Sequence, residues 1–188
     1  MEPGTPRNLR STQSADQTQP PEGIPWSDLE ADLVLGQRLD QVAAAMGDAT
    51  ALCQDGRIWT YRDLADASER VAGRLNGMKR KGRVLLYLGN SFHHFAAAFG
   101  AWRAGWITIP MDPRYPSARN HLILADADPT LVLTEPRYRD EASRLCDLPV
   151  EARSIDQYDA ISDQDREAMG RDVEPDTPST ILYTSGST

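Results

Sequence analysis

The chain has few of the residues that mark several functional classes. It carries two cysteines, Cys53 and Cys146, far apart and without a Cys-x-x-Cys or Cys/His ligand spacing. A disulfide-built fold is excluded as a starting point, and a reducing cytoplasm suits such a composition. The histidines are the adjacent His93 and His94 and the lone His121; they lack ligand spacing, so no metal site is assigned. No apolar run approaches the roughly 20 residues of a membrane-spanning helix, and the N-terminus has no apolar signal core. No membrane is therefore expected as a partner, and the default location is cytoplasmic. Basic residues are outnumbered, 20 Lys and Arg against 28 Asp and Glu for a net charge of -8, which opposes attraction to a nucleic-acid backbone. No Gly-x-Gly occurs, so a dinucleotide fingerprint is absent. Gly77 to Gly82 and Gly100 to Gly105 have the outer spacing of a Walker loop, but Arg83-Val84 and Trp106-Ile107 follow them instead of Lys-Ser/Thr.

What is present is an ordinary globular composition, 40% hydrophobic and 26% charged over 188 residues, enough for one domain with a buried core. Residues 1–25 are rich in Pro, Ser, Thr, Gln and Gly, with Leu9 and Ile24 as their large apolar groups. They cannot offset the entropy of ordering and read as a disordered tail. Residues 26–188 read as a single α/β unit. A helix is expected from Ser27, where Ser27 and Glu30 form a capping box, with Leu35, Leu39, Val42 and Met46 on one face and Gly47 as its stop. Ala51–Gln54 and Arg57–Thr60 flank Asp55-Gly56, the dipeptide of a tight hairpin. Thr60 and Asp63 cap a second helix that closes near Asn76-Gly77.

From Arg83 the pattern alternates. Val84–Leu88, Trp106–Pro110 and Thr130–Thr134 read as strands, separated by helices over Asn90–Ala104 and from Pro116 to Ala125. This βαβαβ unit predicts a mainly parallel sheet with flanking helices, whose ligands sit in the loops that follow strands. Phe92, Phe95, Phe99 and Trp102 fall at helical spacing and are expected in the core. The basic run Lys79, Arg80, Lys81 and Arg83 precedes a strand and reads as a solvated loop. Residues 135–177 read as a peripheral helix at Arg139–Leu145 plus loops, and Thr180–Tyr183 as a last short strand.

That strand leads into Thr184-Ser185-Gly186-Ser187-Thr188. The segment offers four hydroxyls and a run of backbone N–H groups, and Gly186 lets the backbone approach a ligand closely. Physically this is a nest for phosphate oxygens, with ATP as the commonest ligand of that kind. On composition alone, a solvated Ser/Thr-rich turn is the simpler reading, and spacing does not decide between them.

The run Tyr183-Thr184-Ser185-Gly186-Ser187-Thr188 resembles the start of the signature loop of the adenylate-forming superfamily, which continues there with Gly-x-Pro-Lys-Gly. Trp59-Thr60-Tyr61-Arg62-Asp63-Leu64 is similar to the family's Leu-Thr-Tyr-x-Glu-Leu segment. Trp102-Arg103-Ala104-Gly105 and Ile109-Pro110-Met111-Asp112-Pro113-Arg114-Tyr115-Pro116 resemble the Lys-Ala-Gly and Pro-Leu-Asp-Pro-x-Tyr-Pro segments of the nonribosomal peptide synthetase branch. Ala125-Asp126-Ala127-Asp128-Pro129 and Leu131-Val132-Leu133-Thr134 fit further pieces, so the resemblance spans Asp48 to Thr188 in the family's order. Met78-Lys79-Arg80-Lys81-Gly82-Arg83-Val84 departs from it, since the family has Gly-x-x-x-Gly-Asp-x-Val there.

The resemblance implies the N-terminal portion of a large adenylate-forming core domain, interrupted within the phosphate loop at Thr188. It implies a parent ligase in which a carboxylic or amino acid attacks ATP, accompanied by Mg2+, and the resulting acyl-adenylate passes its acyl group to the thiol of CoA or of a phosphopantetheinyl carrier protein. Thr184, Ser185, Gly186, Ser187 and Thr188 would hold the β- and γ-phosphates. The family's loop lysine, acyl pocket and mobile C-terminal domain would lie past Thr188, so this chain alone is expected to be inactive. The rival reading is a non-catalytic or split-enzyme partner that retains the α/β scaffold.

Overall fold

The computed structural model describes residues 34–78, 81–162, 165–166, 169 and 173–184. The expected tail and the helix start near Ser27 lie outside the described residues. Helix α1 covers Leu35–Met46 and ends at Gly47. Strands β1 (Thr50–Gln54) and β2 (Arg57–Thr60) pair antiparallel through the Asp55-Gly56 turn. Both turn residues have positive φ, 52° and 76°, the geometry of the two-residue hairpin that Asp-Gly favours.

Helix α2 (Tyr61–Asn76) starts on a capping box: the Asp63 N–H donates to Thr60 Oγ1 at 3.1 Å, and the Thr60 N–H donates to Asp63 Oδ2 at 2.8 Å. Two otherwise unpaired backbone donors are thereby satisfied, worth about 1 kcal/mol to the helix.

Then follow β3 (Arg83–Tyr87), α3 (Phe92–Arg103), β4 (Ile107–Met111), α4 (Ser117–Ala127), β5 (Leu131–Thr134), α5 (Arg139–Leu145) and β6 (Val150–Ala152). The sheet is parallel with order β4-β3-β5-β6, the α/β arrangement that the alternation predicts. Successive strand residues point to opposite faces. Val84, Leu86, Leu131 and Leu133 pack with α2 and α3, whereas Leu85, Tyr87, Ile109, Met111 and Val132 pack with α4 and α5. Strand β6 stands where a loop is expected; three residues carry too little period to register as a strand, and pairing with β5 is what extends them.

The aromatic stripe of α3 differs from expectation. Phe92 is buried and stacks on Trp59 with centroids 4.9 Å apart, but Phe95 is exposed and Phe99 and Trp102 are half-buried. The buried face is Ala96, Ala97, Gly100 and Ala101. A Cβ at Gly100 would lie 2.6 Å from Val71 Cβ and 2.7 Å from the Ser68 carbonyl oxygen. Helices this close admit only small residues at the contact, so the aromatics are turned to the flank.

Arg103 ties three helices together. It is 7% exposed, and its guanidinium donates to Asp40 Oδ2 on α1 at 2.7 Å and to Ser68 Oγ on α2 at 2.9 Å. Of the basic run, Arg83 donates to the Ala127 carbonyl at 2.7 Å and Lys81 is exposed; Lys79 and Arg80 lie outside the described residues.

Candidate functional site

The approach to the expected phosphate loop is built from β4 and α4. Thr180 forms a single parallel bridge to Thr108, beyond the free edge of β4. The Thr108 N–H donates to the Ser179 carbonyl and the Ile181 N–H donates to the Thr108 carbonyl, each at 2.9 Å. Thr180–Tyr183 is therefore attached to the sheet by one bridge, where a short strand was expected. Trp102 Nε1 donates to the Ser179 carbonyl at 2.8 Å, which gives this half-buried aromatic its polar partner.

Beyond the bridge the segment rests on α4. Ile181 and Tyr183 pack against the core on that face. Arg119 Nη2 donates to the Tyr183 carbonyl at 3.2 Å, and the Tyr183 hydroxyl donates to Asp126 Oδ2 at 2.5 Å. Partial burial and that hydrogen bond push the Tyr183 phenol up to about 12, so it remains a donor at neutral pH. Thr184 follows, exposed. Ser185, Gly186, Ser187 and Thr188 lie outside the described residues.

A second polar group, which includes the two adjacent histidines, forms where strands end. In this strand order the chain leaves β3 in one direction toward β4 and returns on the other side as β5, so the crevice at their carboxyl ends is the switch point of the sheet. Asp112 follows β4, Glu135 follows β5, and His93 and His94 occupy the first turn of α3. Arg114 grips Asp112 with two guanidinium nitrogens, Nε–Oδ1 2.9 Å and Nη2–Oδ2 2.5 Å, and holds its carboxyl below the ordinary range. Arg137 Nε pairs with Glu135 at 2.8 Å, and His93 Nδ1 stands 4.0 Å from the same carboxylate.

Burial lowers the His94 pKa, opposed by the charge of Asp112. Its Nδ1 is buried and has no hydrogen-bond partner among the described residues. The arrangement keeps a neutral imidazole beside an ionised carboxylate, but no three potential metal ligands converge among the described residues. The legible signal was positional, because each of these groups is among the first polar residues after an apolar strand.

No helix among the described residues is long and apolar enough to cross a membrane. The AMP-binding enzyme family model matches residues 39–188. The probable non-canonical nonribosomal peptide synthetase CymA of Salinispora arenicola is 33% identical over 174 residues, a match covering 87% of this chain and 2% of CymA. Surfactin synthase subunit 3 of Bacillus subtilis is 32% identical over 148 residues, covering 75% of this chain and 11% of that protein. Among solved structures, the nonribosomal peptide synthetase FmoA3 in its α-methyl-L-serine-AMP-bound form aligns with TM-score 0.66 and 29% identity, covering 81% of this chain and 17% of FmoA3; FmoA3 has also been solved with AMPPNP. The chain thus spans a small part of the length of the relatives it matches. It belongs to the AMP-binding enzyme family, corresponding to the N-terminal part of an adenylation domain.

Proposed function

We propose that the enzyme to which this chain contributes activates an amino acid or aryl acid as an acyl-adenylate, with ATP and Mg2+, and passes the acyl group to a carrier-protein thiol, CoA being the alternative acceptor. In this reading Thr184, Ser185, Gly186, Ser187 and Thr188 hold the β- and γ-phosphates. Donors fixed beforehand stabilise charge on the departing pyrophosphate without reorganisation during the reaction. ATP as co-substrate fits a cytoplasmic enzyme.

The observation that carries the reading is the fastening of the segment just before the loop. Thr108 holds its backbone, and Arg119 and Asp126 on α4 hold Tyr183. A solvated turn needs no such anchorage, whereas a phosphate cradle does. The Asp112-Pro113-Arg114-Tyr115-Pro116 run, like that of the peptide-synthetase branch, favours amino and aryl acids over long fatty acids.

The test is ATP–pyrophosphate exchange by the full-length enzyme. Ser185→Ala combined with Ser187→Ala is expected to lower exchange by about 100-fold or more, and an unchanged rate would remove the loop from the mechanism. Exchange driven only by medium- or long-chain fatty acids would overturn the substrate class.

A further inference from the structure

A groove of about 700 Å³ runs between α2 and the β6 side of the sheet. Arg70 and Arg74, one helical turn apart on α2, line it together with Lys81, Arg153 and Tyr158. Glu151 on β6 accepts from both Arg74 and Arg153, the latter at 3.2 Å. Burial works against ionisation of Glu151, yet the Arg74 hydrogen bond and the charges of both arginines hold its carboxyl below the ordinary range. One carboxylate thus fixes two guanidiniums beside the groove.

The remaining donors are not spent. Arg70 is half-buried and Lys81 exposed, and neither has a carboxylate partner among the described residues. Tyr158 is 6% exposed and packs into the α2/α3 core, and its hydroxyl has no hydrogen-bond partner among the described residues. Burial pushes this phenol up to about 12, so it is a donor at neutral pH. The Arg153 guanidinium lies 5.9 Å from its ring centroid. Asp159 and Asp165 also line the groove, but Asp165 already accepts from the Ser162 hydroxyl at 2.7 Å. With Glu151 counted, four cations face three carboxylates, which leaves a small net positive charge at the groove in a chain of net charge -8.

We infer that this groove is a second binding site, for a phosphate-bearing small molecule, with the Tyr158 hydroxyl and the Arg70, Arg74, Arg153 and Lys81 side chains as its donors. A tetrahedral dianion accepts from more of these groups at once than a planar carboxylate does, and the groove leaves room for the body of a larger ligand. It is separate from the expected ATP loop. The groove lies on the α2 side next to β6, whereas the approach to Thr184 lies outside β4 and rests on α4. The two are at opposite ends of the strand order, with strands spaced by about 4.8 Å.

The test is calorimetric titration of the 188-residue chain with inorganic pyrophosphate at low ionic strength, alongside a hexaglutamate peptide. Saturable pyrophosphate binding in about the millimolar range is expected. Tyr158→Phe, which keeps the buried ring, and Arg70→Gln are each expected to weaken it about tenfold, with thermal melts confirming that both variants fold. Ser185→Ala with Ser187→Ala should leave this binding in place even if it removes exchange by the full-length enzyme. The proposal is overturned by absence of saturable binding, by preference for the peptide, or by binding that the serine pair abolishes while Tyr158→Phe and Arg70→Gln do not.

Discussion

The two helical layers that cover the sheet are built on different terms. On one side α2 and α3 meet through Val71, Ala72, Ala97, Gly100 and Ala101, so closely that a single added carbon has no room. On the other, α4 and α5 contribute Ile123, Ala127 and Ala142 to the buried set, and around them lie partly buried groups such as Leu124, Leu145, Ile181 and Tyr183. Leu122 on α4 is 60% exposed. The tight layer owes its stability to shape, and the looser layer adds hydrogen bonds from Arg119 and Asp126 to hold the segment that leads to Thr184. The segment leading to the expected phosphate loop therefore lies on the part of the molecule with the less complete apolar cover, where small movements cost least.

The largest difference between the two layers is expected from Gly100→Val. The new Cβ would meet Val71 Cβ and the Ser68 backbone oxygen, and backbone cannot rotate away as a long side chain can. A destabilisation of about 3 kcal/mol is expected, against about 0.5 kcal/mol or less for Leu122→Ser on the exposed face of α4. Thermal or urea denaturation checks both, and equal midpoints for the two variants would show the layers to be alike.

A smaller, asymmetric effect is expected at the Arg103 tie. Asp40→Ala leaves a guanidinium that is 7% exposed without its counter-charge, at a cost of about 2–3 kcal/mol. Arg103→Met removes the buried charge itself and fills much of the space. It leaves Asp40 half-exposed and able to hydrate, while Ser68 still donates to the Ala65 carbonyl at 2.8 Å. About 1 kcal/mol is expected there. Denaturation midpoints in the reverse order would mean that the tie acts through packing rather than charge.

Legibility in the sequence followed the range of the interactions. The hairpin at Asp55-Gly56, the Thr60/Asp63 capping box and helix α5 are set by residues within a few positions of each other, and each stands where expected. Strand β6 needed β5 beside it to be extended, and the burial of Ala97 and Gly100 in place of Phe95 needed α2 beside α3. Nothing local distinguishes Arg103 from a surface arginine, because its partners are Asp40 and Ser68, far away in the chain. At the candidate site, the family motifs point to Thr184–Thr188, but the attachment of the segment before Thr184 through Thr108, Arg119 and Asp126 is a tertiary fact. The same holds for His94 and Asp112, which two different strand ends bring together.

The smallest effect tests whether the approach to the loop is held by polar contacts. Tyr183 donates its hydroxyl to Asp126 Oδ2, and its phenol is pushed up to about 12. An acid whose folded pKa lies above its ordinary value is stabilised in its protonated form by folding. The contribution of Tyr183 is therefore fully present below about pH 10, its ordinary value, and is lost as pH rises through the folded value. Deprotonation would place a phenolate against the Asp126 carboxylate, two like charges where one had been a donor. Tyr183→Phe keeps the ring against the α4 face and removes only the hydroxyl. Because the bond is near the surface, the cost below pH 10 is expected to be less than about 1 kcal/mol, and the variant should lack the part of the parent's alkaline loss that Tyr183 contributes. Ultraviolet titration of tyrosine ionisation reads this directly. Tyr87 and Tyr158 are also raised but are common to both proteins, so the difference between parent and variant isolates one group, expected near pH 12. If the missing tyrosine instead titrates near pH 10, the hydroxyl does not hold Asp126 in solution, and the segment before Thr184 is held by Thr108, Trp102, Arg119 and its apolar packing without that bond.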